Sequence, residues 1–199
     1  MLLLDNEAAI IRRDGNTMEP MQQLYVPGRD SFHWLVVMGV SGCGKSSLGA
    51  ALARELALPL IEGDDFHSPE SVSKMRAGIA LTDADRAGWL ATLGQELASH
   101  PEGAVLTCSA LKRDYRDRLR TAVPGLRFVF LALTREESER RVASRAGAHM
   151  FPASLVANQF ATLESPVGEP GVLELDATAQ RAELIAQTRA WLAEPAPLS

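Results

Sequence analysis

From Trp34 onward, short unbroken apolar runs alternate with longer stretches whose apolar residues return every three or four positions. The runs are LVVM (35–38), LPLI (58–61), AVLTC (104–108), RFVFLAL (127–133) and VLEL (172–175). An apolar run with no polar alternation is what a strand covered on both faces requires, and the lengths suit strands better than helices. Between the runs, Leu48, Leu52 and Leu56 share one helical face, as do Leu111, Tyr115 and Leu119. The same spacing recurs in Leu155, Val156, Phe160 and Leu163, and again in Leu184, Ile185, Thr188, Trp191 and Leu192. Strands alternating with helices predict βαβ units, hence an α/β domain built on a mostly parallel, doubly wound sheet.

Residues 1–31 carry no sustained period and read as an N-terminal extension outside the main fold. Residues 32–193 read as a single domain and residues 194–199 as a short tail. A chain of 199 residues is long enough for one core. Its apolar share of 46% and charged share of 23% are ordinary for a compact protein and exclude wholesale disorder.

The net charge of −5 argues against a surface built to grip duplex nucleic acid. No run approaches the ~20 apolar residues of a membrane span, and the start has neither a basic region nor a small-residue cleavage pattern. The two cysteines, Cys43 and Cys108, stand apart from any metal-binding spacing and read as reduced thiols. A cytoplasmic protein with no membrane and no nucleic-acid partner is the expectation.

The first apolar run ends in GVSGCGKS, residues 39–46. Gly39, four intervening residues (Val40, Ser41, Gly42, Cys43), then Gly44, Lys45 and Ser46 form the P-loop pattern, set between a strand and an amphipathic helix as that motif demands. Glycines let backbone N–H groups wrap phosphate oxygens, and the helix N-terminus adds its partial positive charge. Lys45 would then reach the terminal phosphates of a nucleoside triphosphate, and the Ser46 hydroxyl would ligate Mg²⁺. The chain has no NKxD-like element for reading guanine and no LSGGQ-like signature of a transporter ATPase, so a small kinase is favoured.

The second run leads into EGDDFHSP. Ligand-binding groups of an open α/β sheet stand at the carboxyl ends of its strands, and phosphoryl transfer needs a carboxylate beside the attacking hydroxyl. Asp64 is the candidate base, and Glu62, two residues back, the candidate holder of a magnesium-bound water. Ser68-Pro69-Glu70 also reads as a helix start, with Ser68 as cap. His67 is a candidate hydrogen-bond donor to a polyhydroxy or carboxylate substrate. Further on, Ser109 is expected to cap a helix, and Lys112 and Arg116, one turn apart, to face a substrate anion rather than simply solvent. In REESERRVASR, Arg141 and Arg145 share a face before the flexible GAHMFP (147–152), the arrangement of arginines that close over a transferring phosphoryl group.

Taken together, MGVSGCGKS, EGDDFHSPESVSKMRAGIALTDADRAGWL, CSALKRDYRDRLR and NQFATLESP resemble the gluconate kinase (gluconokinase) family, small P-loop kinases related to shikimate and adenylate kinases, over about residues 34–191. The resemblance implies a P-loop NTPase three-layer sandwich with a helical lid, and ATP-dependent, Mg²⁺-assisted phosphorylation of D-gluconate. It also implies that residues 39–47, Ser47 included, hold ATP and Mg²⁺, that Asp64 is the base, and that Arg141 and Arg145 are lid arginines. His67, Lys74, Arg76, Ser109, Lys112 and Arg116 are its implied gluconate contacts or supports. Members of that family are often dimers, so a homodimer is the implied assembly. Where the family commonly reads RxGHFMP, this chain has RAGAHMFP, with the histidine displaced. The rival readings are a kinase for a shikimate-like hydroxy acid and a non-catalytic nucleotide switch.

Overall fold

The computed structural model describes residues 33–144 and 154–194. The extension, Arg145, the GAHMFP segment and most of the tail lie outside the described residues. All five apolar runs form strands: β1 (His33–Met38), β2 (Leu60–Glu62), β3 (Gly103–Thr107), β4 (Arg127–Ala132) and β5 (Val172–Asp176). They pair in parallel in the order β2-β3-β1-β4-β5, with β1 central and Val36 opposite Leu106 on one side and Phe128 on the other.

Successive strand residues point to opposite faces, and two cores result. Val36, Met38, Leu106 and Phe128 pack on one face against Trp89, Leu93, Leu97, Tyr115 and Leu119. Leu35, Val37, Val105 and Val129 pack on the other against Leu48, Leu52, Leu184 and Leu192. The covering helices are α3 (Asp83–Ala98) and α4 (Arg113–Ala122) on the first face, α1 (Lys45–Glu55) and α7 (Arg181–Leu192) on the second. This is the helix-sheet-helix sandwich of a P-loop domain. The remaining helices, α2 (Pro69–Arg76), α5 (Arg135–Ser144) and α6 (Ser154–Thr162), lie toward the carboxyl ends of the strands.

α3, the longest helix at 16 residues, is the element the apolar pattern alone did not announce. Its first turn is polar, and its signal lies in Trp89, Leu90, Leu93 and Leu97 together with a capping box in which Thr82 and Asp85 satisfy one another's backbone N–H groups. α2 starts as expected, the Ser68 hydroxyl accepting from Ser71 N–H at 3.2 Å with Pro69 in the first position.

β2 stops where it does because Gly63 runs directly against β3. A Cβ on Gly63 would stand 2.3 Å from the backbone carbonyl oxygen of Thr107, so any side chain must pry the strands apart. From there the chain turns through a 3₁₀ segment, Gly63–Phe66, that presents Asp64. Gly63→Ala is expected to cost roughly 1–3 kcal/mol of stability through this overpacking, read as a lowered melting temperature. Because the same shift moves Asp64, turnover should fall with it; wild-type stability would show that the strands can part freely.

Candidate active site

The carboxyl ends of β1, β2 and β3 open on a cleft of about 340 Å³. The P-loop forms one wall through Ser41, Gly42, Gly44, Lys45, Ser46 and Ser47; Asp64, His67, Arg86 and Ser109 form the other. Two walls of different chemistry, a cradle of backbone N–H groups and a set of polar and charged side chains, are what a transfer between two ligands needs.

At its first residue the loop leaves no room for a side chain. Gly39 has φ 137°, and a Cβ there would meet the Leu131 carbonyl oxygen at 2.8 Å and Cys43 Sγ at 2.9 Å. Val40 and Cys43 are buried and are not among the residues that line the cleft. Cys108 is buried as well, on the opposite face of the sheet from Cys43, and burial pushes its thiol up to about 12. Both cysteines are free. Lys45 Nζ donates to the Val40 carbonyl oxygen at 3.0 Å, curled over the loop it would neutralise.

Ser46 and Glu62, the two expected magnesium-site residues, lie in contact. Ser46 Oγ donates to Glu62 Oε2 at 3.1 Å, and Thr107 Oγ1 donates to the same oxygen at 2.6 Å. A hydroxyl and a carboxylate, both hard oxygen donors beside a phosphate cradle, suit Mg²⁺, which keeps most of its water and takes one or two protein oxygens. Among the described residues no cluster of three or more His, Cys, Asp and Glu could cage a metal by itself.

On the acceptor wall, Asp64 stands open to the cleft with its side chain 55% exposed. His67 Nε2 lies 3.8 Å from Asp64 Oδ1, and the imidazole stacks on Trp89 with ring centroids 4.3 Å apart at 16°. Trp89 Nε1 donates to the Gly63 carbonyl oxygen at 2.7 Å, so one indole holds both the Asp64 turn and the His67 ring. Burial draws the His67 pKa below its ordinary value against the pull of Asp64, with Arg86 adding to the lowering. The ring is therefore neutral at pH 7.

Two polar atoms on this wall are buried without a hydrogen-bond partner: His67 Nδ1 and Arg86 Nε. Arg86 is 9% exposed, lies 5.8 Å from the Tyr115 ring centroid and makes no hydrogen bond or ion pair among the described residues. A buried guanidinium facing a cleft is costly until an anion meets it. Sequence reasoning passed Arg86 over, because an arginine three residues into a polar helix start looks like any solvated one.

The other expected substrate contacts go elsewhere. Arg116 is fully buried: it binds Glu169 through two bonds and donates to the carbonyl oxygens of Ala110 at 2.9 Å and Leu111 at 3.2 Å, which leaves nothing for a substrate. Lys112 instead grips both carboxylate oxygens of Asp83 at 2.8 Å, and Tyr115 donates its hydroxyl to the same group. Lys74 is paired with Asp85 at 2.7 Å, and Arg76 is exposed outside the cleft. Lys74 and Lys112 thereby fasten α2 and the start of α4 to the first turn of α3. Ser109 lines the cleft but caps no helix; α4 begins at Arg113, whose N–H is met by Glu164 Oε2 at 2.7 Å.

Arg141 is turned toward the back of the P-loop. Its Nε donates to Glu137 Oε1 at 2.6 Å and its Nη1 to the carbonyl oxygens of Gly42 at 3.4 Å and Ala177 at 3.2 Å. Hydrogen bonds from Arg140 and Arg141 hold the Glu137 carboxyl at about 2, so this anchor is ionised at neutral pH. Two residues absent from the sequence expectation also reach the loop: Gln159 from α6 and Ser138 from α5, both bonded to Ser41.

Residues 35–170 match the model of the AAA domain family. The chain is 46% identical to a gluconokinase of Gluconobacter oxydans over 145 residues, 71% of this chain and 81% of that protein. It superposes on the crystal structure of a gluconokinase from Sinorhizobium meliloti with a TM-score of 0.75 at 48% identity, covering 83% of this chain and 94% of that one. A sugar kinase from a Janibacter species superposes with a TM-score of 0.76 at 39% identity, covering 81% and 94%.

Proposed function

The chain belongs to the gluconokinase family, and from that premise we propose that its cleft transfers the γ-phosphoryl group of ATP to the primary hydroxyl of D-gluconate, giving 6-phosphogluconate. The observation that carries this reading is the pairing of walls: the P-loop with Lys45 on one side and Asp64 on the other, where Arg86 Nε and His67 Nδ1 are buried without a hydrogen-bond partner. A polyhydroxy carboxylate suits those partners. Its carboxylate would answer the Arg86 guanidinium, and its hydroxyls the neutral His67 and Ser109.

Asp64 orients the attacking hydroxyl and accepts its proton, while Lys45 neutralises the charge that develops on the transferred group. Ser46 and Glu62 would hold Mg²⁺, which would supply further charge neutralisation. Holding donor and acceptor in line accounts for much of the acceleration, since little covalent chemistry is asked of the protein. The reading also carries a cytoplasmic, homodimeric enzyme; a solution mass near twice the 21.5 kDa of the chain is the expected result for the second part, and a mass of one chain would overturn it.

The test is ADP release by the purified protein with ATP and Mg²⁺, comparing no acceptor with D-gluconate, shikimate and glycerate. Stimulation by gluconate alone is expected. Stimulation by another acceptor moves the substrate, and none by any acceptor returns the fold to a nucleotide switch.

A further inference from the structure

Ser41 is held by both of its backbone polar groups. Its N–H donates to Gln159 Oε1 at 2.7 Å, and its carbonyl accepts from Ser138 Oγ at 2.7 Å. Gln159 is 6% exposed and Ser138 is fully buried, and they come from two different helices, α6 and α5. Two buried polar side chains converging on one peptide of a phosphate loop fix that peptide's orientation.

The bond to Ser41 also fixes the carboxamide. A backbone N–H can only donate, so the Gln159 atom it meets is the oxygen, and the Nε2 group with its two hydrogens is directed elsewhere. The Gln159 side chain makes no other hydrogen bond among the described residues, and it lines the cleft together with Lys45 and Asp64. Gln159 thus brings two donor hydrogens, unused by the protein, to the lining of the cleft.

We propose that Gln159 binds the terminal phosphoryl group of the nucleotide through Nε2 while its Oε1 keeps Ser41 in place. The assignment rests on the phosphoryl-transfer reading above and adds a donor that Lys45 and the loop amides do not provide. It predicts discrimination between nucleotides: a triphosphate gains this contact and a diphosphate does not.

Gln159→Glu keeps an oxygen for Ser41 N–H and removes the donors; Gln159→Met removes both without adding charge. Affinities for ADP and for a non-hydrolysable ATP analogue are measured by calorimetry with Mg²⁺ and no acceptor. Gln159→Glu is expected to weaken the analogue at least about tenfold more than ADP, and kcat with gluconate should fall roughly 10²-fold, the range of a lost charge-stabilising donor. Gln159→Met should also weaken the analogue more than ADP. Equal losses for the two nucleotides, an unchanged Gln159→Glu, or discrimination confined to the charged variant would each overturn the proposal. A wild-type protein that discriminates through Gln159 yet ignores gluconate would instead overturn the substrate reading.

Discussion

Asp64→Asn is expected to lower kcat with gluconate by roughly 10² or more, the scale of a positioned general base, with ATP affinity little changed. The substitution preserves shape and removes the acceptor of the hydroxyl proton. His67 does not take over: its nearest nitrogen is 3.8 Å from Asp64, and the Trp89 stack fixes its ring. Burial keeps it neutral, so no ion pair is lost when the aspartate charge goes. The measurement is steady-state turnover alongside calorimetric titration with an ATP analogue. A kcat within a few-fold of wild type would remove Asp64 from the chemistry and leave its place in the cleft unexplained.

Arg116→Ala should act on stability. Taking one partner from a buried ion pair leaves the other uncompensated, at a cost of about 3–5 kcal/mol. Here Glu169 would keep only Arg120, the Ala110 carbonyl would lose its donor, and the Leu111 carbonyl would keep only Glu164 N–H. Ala110 sits at φ 44°, a conformation an alanine adopts only when held, and the turn it makes carries Ser109 into the cleft. For a domain of this size a melting point lowered by roughly 10 °C follows. The effect should shrink in acid. Burial raises the Glu169 pKa, but its bonds to Arg116 and Arg120 outweigh that and lower it overall. The wild-type pair therefore contributes above the ordinary carboxylate range and fades as pH falls below it, where the variant and wild type converge. Unchanged melting with a raised KM for gluconate would restore Arg116 to the substrate.

That arginine also shows where reading the sequence stops. Lys112 and Arg116 are four apart, which on a helix means one face, but Lys112 is the residue before the helix begins, with extended backbone (φ −97°, ψ 152°). The spacing rule therefore did not apply to the pair. Runs such as LVVM and RFVFLAL were legible because burial on both faces of a parallel sheet leaves no other composition open. GVSGCGKS was legible because its pattern is local, eight consecutive residues between a strand and a helix. Arg86, Ser138 and Gln159 were not, since a charged or polar residue carries no mark of burial, and Gln159 meets Ser41 across 118 positions of chain.

The Trp89 arrangement has an optical consequence. Of the three tryptophans, Trp34 and Trp191 are partly exposed and lie away from the cleft, while Trp89 is 5% exposed and stacked on a histidine that lines it. Indole emission depends on what its ring touches. An acceptor that engages His67 therefore alters the light emitted by Trp89 before any phosphate moves. The protein thus carries its own fluorophore against the proposed acceptor wall, and acceptor arrival there would be timed in a stopped-flow instrument apart from transfer, with no dye attached.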